Sequence, residues 1–512
     1  MNPGDDERPT LPPVRLPEEA ELARAALAAP LLARAARLAR WAPEGLAVAG
    51  DGELPPAQLA AARSHLGLSA GGVGDEEAAD AWQFALDAGL VEVREGAAGV
   101  EAAPGPALAF LAGGGSPAGV LEIWGAGLEG ALTDAAAPPL DGLLGEAADW
   151  EAAVGPDGEL DPDALDPETL AWAQENAALE LGLTLANLYV MAAAGDGAVV
   201  GGHGAAVPLP VLAAVVTRAD EREEPGEEPG EEALAEVWRV VRTLDAQFRV
   251  LAATGLVAYE PPAPGALDDP AGPTAAPAPV EDEDGDEGTD EDARYGRVRL
   301  TPLGLYGVRR RLLADGFDAP LTGELASSDA ATLLAALALH PEGAAHEEAR
   351  LWLAGRDPLG AARALLAAAR GADPEGPGRR MACQLVLAQL DERAEAAVRE
   401  VLHDRELGGL ARVWLAGRGA PDVPPPGEDM VSWLAIDTLA AELATAPPDV
   451  DPAALRELVA ELAAHDAAFL DRAWRTDHPA AAEVLEAVGR LHPDKQVAKR
   501  ARAAAHKSRT RP

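Results

Sequence analysis

Cysteine is nearly absent from this sequence, whose 512 residues include only Cys383. A single thiol excludes an intramolecular disulfide framework. Cys383 lies in the apolar stretch 381–387 with no histidine beside it to act as a base. We therefore expect a buried thiol that packs as a small hydrophobic side chain and takes no part in catalysis.

Long apolar runs are also lacking. No stretch of about 18 uncharged apolar residues occurs, so we expect no membrane-spanning helix. The first ten residues are acidic and contain no apolar core, which argues against a signal peptide. Together these two absences predict a protein that stays in the cytoplasm.

Familiar catalytic motifs are missing as well. The sequence contains no GxxxxGK[ST] phosphate loop, no HExxH zinc motif and no GxSxG nucleophile motif. The closest histidines, His340 and His346, lack zinc-hydrolase spacing, and we interpret them as loop and helix-terminus residues. The glycine-rich stretch 195–204 lacks the Lys and Ser or Thr of a phosphate loop, and we interpret it as a flexible loop. We therefore expect no enzyme activity, no cofactor and no metal site.

Positive charge is scarce in this chain. Lys and Arg total 41 against 86 Asp and Glu, which gives a formal net charge of −45. Such acidity favours solubility, and it repels nucleic acid and anionic membranes. We therefore expect a protein partner and no membrane, with DNA binding disfavoured unless a local basic patch persists. The chain's three Lys, at 495, 499 and 507, all lie near its end.

What the sequence does contain is helical periodicity. Apolar residues make up 48% of the chain, and its length predicts two to four domains. A helical pattern over 17–41 is interrupted by Pro30, which predicts a kink or a break. Two more helices follow, the first ending at Gly67 and the second beginning after Gly74, and then two short apolar segments at 90–94 and around Val100. The order helix, helix, helix, hairpin is typical of a winged helix.

The same order recurs further along the chain. An apolar stripe at 234–251 predicts a long helix that ends at Gly255. The segment 256–259 predicts a strand, and its partner is 297–300, where charged and apolar residues alternate. Thr301, followed by proline, predicts the N-cap of the next helix.

Acidic segments interrupt this second pattern. The segment 260–294 is Pro-rich and then acidic, and nine of the twelve residues at 281–292 are Asp or Glu. Such a composition cannot build a core, so we predict a disordered insert at the tip of the wing. A second acidic linker, 220–232, precedes the long helix.

From about residue 329 the pattern changes to short Ala- and Leu-rich helices separated by Gly and Pro. The octapeptide at 349–356 recurs at 411–418 with seven of eight positions identical. This repetition favours stacked helical hairpins of the HEAT type, although one such hairpin takes roughly 40 residues and the offset is larger. The stretch 495–511 holds seven basic residues. It is interpreted as a solvated helix end, with docking onto an acidic partner, or onto the chain's own acidic linkers, as the alternative.

Two local patterns resemble known families. Residues 255–259 with 297–304 resemble the wing of winged-helix proteins, in which a strand ending in Leu-Thr-x-x-Gly enters the next helix. Residues 484–502 are similar to the helix, turn and helix of HEAT-type repeats. As a whole, the chain resembles uncharacterised proteins of GC-rich bacteria that join such modules. The resemblance implies an architecture and no particular activity.

The predicted fold is mainly α with small β-hairpins: two winged-helix-like modules followed by a HEAT-like α-helical repeat stack. The predicted segments are a disordered N-terminus at 1–16, a first module at 17–150, a second module at 151–328, a helical stack at 329–494 and a basic tail at 495–512.

Nucleic acid is the main alternative partner. The third helix of the first module carries Glu76, Glu77, Asp80 and Asp87 and no basic residue, which would oppose phosphates. The second module carries arginines that could contact phosphates, against which we set their pairing with neighbouring acidic residues or a solvated face. These candidates are Arg239, Arg242, Arg249, Arg297, Arg299, Arg309, Arg310 and Arg311.

These observations together predict a non-enzymatic, cytoplasmic protein-interaction or scaffold protein whose helical stack presents a groove. The alternative is a DNA-binding transcriptional regulator that works through the second module and is autoinhibited by its acidic segments.

Overall fold

The computed structural model describes residues 9–96, 99–137, 167–194, 205–218, 231–263, 265–267, 295–445, 456, 459–460 and 469–510. Over these residues the protein is mainly helical with small antiparallel sheets, as predicted. Most of the predicted acidic insert and linker, and all of the glycine-rich loop at 195–204, lie outside the described residues. The chain divides into two compact units: residues 1–11 with 15–319, and residues 12–14 with 320–512.

The first half of unit 1 begins with two helices that meet at Pro30. Pro30 is the first residue of the second helix, where its missing N–H costs nothing, so the predicted break is confirmed. Gly67 ends the third helix in the left-handed region, with φ of 76°, as predicted for a glycine at this place. The elements are α1 (Glu19–Ala28), α2 (Pro30–Trp41), β1 (Leu46–Ala47), α3 (Pro56–Leu66), α4 (Gly72–Asp87), β2 (Val91–Gly96), β3 (Gly99–Pro104), α5 (Pro106–Ala112) and α6 (Pro117–Ala135).

These strands form a three-stranded antiparallel sheet in the order β1-β3-β2. Leu46 lies opposite Ala102 on one side, and Val91 lies opposite Pro104 on the other. The hairpin of β2 and β3 agrees with the predicted one. The strand β1 was not predicted, because two residues are too few to show a period of two.

The second half of unit 1 repeats this order of helices and strands. Its sheet has the order β4-β6-β5, with Val207 opposite Val298 and Val257 opposite Leu300. Thr301 caps the following helix by accepting a hydrogen bond from the Gly304 N–H at 2.9 Å, as predicted. The elements are α7 (Pro167–Ala194), β4 (Val207–Pro208), α8 (Leu209–Arg218), α9 (Glu231–Ala253), β5 (Val257–Glu260), β6 (Arg297–Leu300) and α10 (Pro302–Ala314).

The two halves of unit 1 pack together at α6. The buried indole Nε1 of Trp124 donates a hydrogen bond to the carbonyl oxygen of Thr254 at 2.8 Å. Gly307 lies against the same indole, and a side chain at this position would collide with it. This close packing makes the two predicted modules parts of one compact unit.

Residues 9–16 belong to the predicted disordered N-terminus, yet the structure places them in extended bridges. The Leu11 N–H donates to the Asp318 carbonyl oxygen at 2.7 Å, and the Asp318 N–H donates to that of Pro9 at 2.9 Å. Val14 is buried. The partners lie some three hundred residues away in sequence, so composition near the N-terminus could not reveal them.

In the described residues, unit 2 is helical. Two 3₁₀ turns, Glu324–Ser327 and Glu392–Ala394, interrupt it. The helices are α11 (Ala330–Leu337), α12 (Glu342–Leu353), α13 (Pro358–Ala368), α14 (Gly376–Ala388), α15 (Glu395–Glu400), α16 (Gly408–Gly417), α17 (Glu428–Thr445), α18 (Phe469–Ala473), α19 (Ala481–Leu491) and α20 (Lys495–Arg509).

The core of unit 2 consists of two apolar clusters, one formed mainly by α11–α16 and one by α17–α20. Both are rich in alanine, which lets the helices approach closely. The unit begins at Pro320, before the predicted boundary at 329, because the carboxylate of buried Glu348 accepts hydrogen bonds from the backbone N–H groups of Gly323 and Leu325. These bonds hold the first 3₁₀ turn against α12.

Candidate interaction surface

The eight candidate arginines of the second module lie on three elements. Arg239, Arg242 and Arg249 are on α9, two are on β6, and three are on α10. Arg239 and Arg249 are exposed and Arg242 is half-buried. The structure therefore brings arginines together along one side of α9, while those of α10 lie on a separate helix.

Carboxylates neutralise the two exposed arginines of α9. Arg239 forms an ion pair with Glu236, one turn earlier. Arg249 lies 3.0 Å from Asp245, which also accepts a hydrogen bond from the Tyr259 hydroxyl at 2.5 Å. Burial and this bond to Asp245 raise the pKa of Tyr259. The predicted basic face of α9 is thus largely paired within the module.

The arginines of α10 are also paired. Arg310 lies 3.5 Å from Glu122, and Arg311 forms an ion pair with Glu129, both of which are on α6. Arg309 donates a hydrogen bond to the carbonyl oxygen of Ala319 at 2.7 Å. These three side chains therefore hold unit 1 together instead of forming a free cationic surface.

The two arginines of β6 occupy the half-buried positions of that strand. Arg297 lies opposite Glu260 and Arg299 opposite Ala258, while Val298 between them is fully buried. Among the described residues, Arg299 makes no side-chain hydrogen bond or ion pair. It is the candidate whose guanidinium is least committed to a partner in this chain.

The first module presents carboxylates instead. Glu76 and Asp80 are exposed on α4. Partial desolvation of the Asp80 carboxyl by neighbouring side chains, together with the negative charges of Asp134, Glu76 and Glu77, raises the pKa of Asp80. Like charges of this kind oppose an approaching phosphate, and the expectation that this module does not bind DNA stays a prediction.

An exposed apolar row lies on α7. Trp172, Leu179 and Leu183 are 65%, 61% and 51% exposed, and their spacing places them on one side of the helix. In the part of the chain that the structure describes, Leu170–Ala194 is the one helix long and apolar enough to cross a membrane. A core helix passes the same test, so this finding is weak support for a span. Exposed apolar rows of this kind also mark protein contacts.

An open cavity of about 570 Å³ lies beside the first sheet. Its lining is mostly apolar, and the charged Arg94 in it is paired with Glu92 at 2.7 Å. The remaining lining residues are Arg40, Pro104, Gly105, Pro106, Leu108, Ala109 and Ala112. These side chains provide no nucleophile with an adjacent base.

In unit 2, the first copy of the repeated octapeptide ends its helix with a distinctive contact. The Trp352 Nε1 donates a hydrogen bond to the Ser328 carbonyl oxygen at 2.9 Å. The Arg356 guanidinium carbon lies 4.1 Å from the centre of the Trp352 ring. Arg356 also donates to the carbonyl oxygens of Ala326, at 2.7 Å, and Ser328, at 3.1 Å. We name this arrangement the first Trp–Arg clamp.

The second copy forms the same arrangement. The Trp414 Nε1 donates to the Leu387 carbonyl oxygen at 2.7 Å, and the Arg418 guanidinium carbon lies 3.9 Å from the Trp414 ring centre. Arg418 donates to the carbonyl oxygens of Ala388, at 2.9 Å, and Leu390, at 2.8 Å. In this second Trp–Arg clamp, as in the first, an indole and a guanidinium satisfy carbonyl groups of an earlier segment.

A buried polar cluster joins α14, α17 and the segment before α19. Arg380 donates to both carboxylate oxygens of Asp437, at 2.6 and 2.8 Å, and the His478 Nε2 lies 3.1 Å from the same carboxylate. Burial alone would raise the pKa of Asp437, but the hydrogen bonds from Arg380 and His478 outweigh it and lower that pKa. The His478 Nδ1 accepts from the Ala480 N–H at 3.1 Å, so its Nε2 carries the proton.

This His–Asp pair resembles a general-base pair, but it is buried, and the described residues place no accessible nucleophile beside it. All three side chains are buried. Cys383, which lies on the same helix as Arg380, is fully buried, and burial raises the pKa of its thiol to about 12. The cluster is therefore suited to joining helices and not to attacking a substrate.

The two histidines considered for a metal do not form a site. Burial lowers the pKa of His340 to about 4. The His346 Nδ1 is 3.0 Å from the Glu342 carbonyl oxygen on its own helix. Within the described residues, no group of three or more His, Cys, Asp or Glu side chains is arranged to hold a metal ion.

The predicted basic tail forms a helix, α20, up to Arg509. Asp494 caps it by accepting from the Gln496 N–H at 2.6 Å, and its alanine side packs against α19. The sequence had identified these basic residues but not their alignment, which depends on the helix being continuous.

Comparisons of the chain with protein-family models, with curated proteins and with solved structures find no match.

Proposed function

We propose that this chain is a non-enzymatic, cytoplasmic protein-interaction or scaffold protein, in which unit 2 is a HEAT-like binding stack. The observation that carries the proposal is the pair of Trp–Arg clamps. Two copies of one octapeptide end their helices with the same indole and guanidinium contacts. Recurrence of one helix-ending device within a helical stack is typical of a repeat array.

Repeat arrays act mainly through their surfaces. Each repeat contacts its neighbours, so the stack gains an extended face whose shape the packing fixes. In unit 2 the clamps and the buried Arg380–Asp437–His478 cluster hold helix ends in place, which keeps such a face rigid. A rigid surface loses little conformational entropy on binding, and this favours recognition of another protein.

Unit 1 fits the same role with two winged-helix-like modules. In both halves, a helix, a short strand, two helices and two strands follow one another, and the last strand lies in the middle of the sheet. This order and the Thr301 cap support the winged-helix interpretation. Such modules bind proteins as well as nucleic acid, and the carboxylates on α4 favour the former for the first module.

A DNA-binding regulator is the second candidate, supported by Arg239, Arg242 and Arg249 on one side of α9. The ion pairs of Arg239 with Glu236 and of Arg249 with Asp245 weaken the case for DNA binding, because they neutralise two of these charges. If the acidic insert competes with DNA for this side, deleting residues 264–292 should strengthen DNA binding in a gel shift. No shift with or without the insert would exclude this candidate.

The main proposal is tested by finding and then reconstituting a partner. The tagged full-length chain is cross-linked in its native host, and a protein recovered in stoichiometric amount is purified and titrated against the chain by calorimetry. Replacing the exposed apolar residues of unit 2 by Asp, at Leu339, Val413 and Val431, should weaken binding about tenfold or more.

The matched control places Asp at three exposed apolar positions outside unit 2 and outside the apolar row of α7, namely Leu27, Val73 and Val93. If unit 2 is the binding stack, this control should change the affinity by less than about twofold, as expected for residues outside an interface. Absence of any stoichiometric partner, or equal weakening by both variants, would contradict the proposal.

A further inference from the structure

The helix α20 is basic, whereas the chain as a whole is acidic. It contains six Lys and Arg residues and His506, and no Asp or Glu. All three lysines of the chain, Lys495, Lys499 and Lys507, are on it. Across residues 469–510 there are nine Lys and Arg against five Asp and Glu, whereas the whole chain has 41 against 86. A positively charged surface therefore exists on a protein of net charge −45.

Most of these basic side chains lie on one line. Lys495, Lys499, Arg502, His506 and Arg509 follow one another at intervals of four and three residues, so they lie on one side of the helix. At 1.5 Å per residue this row is about 21 Å long. The buried alanines of α20 lie on a different side of the helix, where they pack against neighbouring helices, and all five residues of the row are exposed. We name this row the α20 stripe.

Carboxylates of the chain itself neutralise the stripe only in part. Arg509 forms an ion pair with Glu486, and Arg502 donates to the uncharged carbonyl oxygen of Gly489 at 3.1 Å. Among the described residues, the side chains of Lys495 and Lys499 make no hydrogen bond or ion pair. This contrasts with the arginines of α9 and α10, most of which have carboxylate partners. The stripe thus keeps most of its charge for a ligand.

We infer that the α20 stripe is a docking surface for an Asp- and Glu-rich segment of a partner protein. The inference rests on the proposed function and names the chemistry of one partner. Charge complementarity carries it: cations one helical turn apart over about 21 Å match the carboxylates of a helix of about 14 residues or of a shorter extended segment.

The short length of the α20 stripe favours an acidic protein segment over nucleic acid as its ligand. A DNA duplex is stiff over about 150 base pairs and carries a charge every 1.7 Å or so, so it extends well beyond the stripe. Its further phosphates would then approach a protein with an excess of carboxylates, which repels them. A short acidic segment confines its charge to the stripe and avoids this repulsion.

The test uses the full chain and two probes, a fluorescent peptide of about 12 residues rich in Asp and Glu and a duplex DNA of about 20 base pairs. Binding is followed by fluorescence anisotropy at about 50 mM salt, where screening is weak. The stripe variant K495Q/K499Q/R502Q removes three charges of the stripe. The control variant R24Q/R94Q/R393Q removes three charges from other exposed side chains.

We expect the wild type to bind the peptide, the stripe variant to bind it about tenfold more weakly, and the control to differ by less than about twofold. Absence of peptide binding by the wild type, or equal weakening in both variants, would overturn the inference. Tighter binding of DNA than of the peptide, weakened by the same stripe substitutions, would also overturn it and assign the stripe to nucleic acid.

Lysine chemistry provides a second measurement that does not depend on the folding of a variant. Acetylation of the folded wild type removes the positive charge of the three α20 lysines, whereas reductive methylation keeps it. Both reagents also modify the α-amino group, so the two modified proteins differ mainly in the charge of the modified amino groups. Acetylation alone should weaken peptide binding by about fivefold or more, because it neutralises Lys495 and Lys499 of the stripe, and equal effects of the two reagents would overturn the inference.

The two proposals fail separately in these experiments. If the stripe variant still binds the reconstituted partner with full affinity and the peptide does not bind, only the docking inference fails. If no partner is found in the host, the proposed function itself fails, whatever the peptide does.

Discussion

Arg380 and Asp437 form a two-point ion pair inside unit 2, at 2.6 and 2.8 Å, with both side chains at most 5% exposed. The pair joins α14 to α17, and His478 adds a hydrogen bond from the segment that precedes α19. Desolvation offsets much of the attraction in such a pair, so its net contribution to stability is modest. Loss of one partner is different, because the other charge is then left buried and unpaired.

Replacing Asp437 with alanine should therefore lower the free energy of unfolding by about 3–5 kcal/mol. Urea denaturation monitored by circular dichroism measures this change. The control is Glu400→Ala, which breaks the exposed Arg363–Glu400 pair and should leave the midpoint nearly unchanged. An equally small effect of Asp437→Ala would show that water reaches Arg380.

His340 should make stability depend on pH. Burial lowers its folded-state pKa to about 4, from an ordinary value near 6.5. The unfolded chain binds the proton first, so stability falls as pH drops from about 6.5 to about 4 and levels off below that. In the His340→Phe variant, the fall in unfolding free energy over this pH range should be smaller by up to about 3 kcal/mol. Denaturation curves at several pH values test this, and parallel wild-type and variant curves between pH 7 and 4 would contradict it.

The two Trp–Arg clamps should be energetically equivalent. Trp352→Phe and Trp414→Phe each remove an indole N–H that donates to a carbonyl oxygen, at Ser328 and Leu387. Each oxygen keeps one other donor, Arg356 at Ser328 and the Leu390 N–H at Leu387. Each substitution should therefore cost about 0.5–1.5 kcal/mol in unfolding free energy, the net value of one hydrogen bond. If one costs as much as this and the other costs nothing, the two helix ends are not copies of one device.

Thr301 should be a strong N-cap. Its hydroxyl accepts from the Gly304 N–H at 2.9 Å and donates to the Gly255 carbonyl oxygen at 2.6 Å, so it links α10 to the end of α9. Thr301→Val should lower the stability of unit 1 by about 1–2 kcal/mol. Thr301→Ser keeps the hydroxyl group, so it should lower the stability by much less. Thermal denaturation of both variants tests this. If the methyl group of Thr301 mattered more than its hydroxyl group, Thr301→Val would be more stable than Thr301→Ser.

Cys383 should react only from an unfolded state. Burial raises the pKa of its thiol to about 12, so the native protein holds almost no thiolate at pH 8. A colorimetric disulfide reagent should modify it at the rate of unfolding, and faster in Asp437→Ala. Rapid reaction of the native wild type, before denaturant is added, would show an open path to the sulfur.

The candidate surfaces could be predicted from the sequence only in part. The arginines of the second module and the basic residues of α20 are visible in the sequence. Their pairing is not, because Arg310 and Arg311 find their carboxylates on α6, about 180 residues earlier. The buried cluster has no local signature, since Arg380 and Asp437 are 57 residues apart.

The sequence by itself determined the helices, the helix breaks at Pro30 and Gly67, the hairpin strands and the acidic character of the chain. These follow from local periodicity, from the fixed φ of proline and from the freedom of glycine, which act over a few residues. Only the tertiary structure decided that β1 and β4 complete two sheets, that residues 9–16 pair near residue 320, and which charges are neutralised. Those outcomes depend on contacts between distant segments, and a pattern of neighbouring residues carries no information about which distant groups meet.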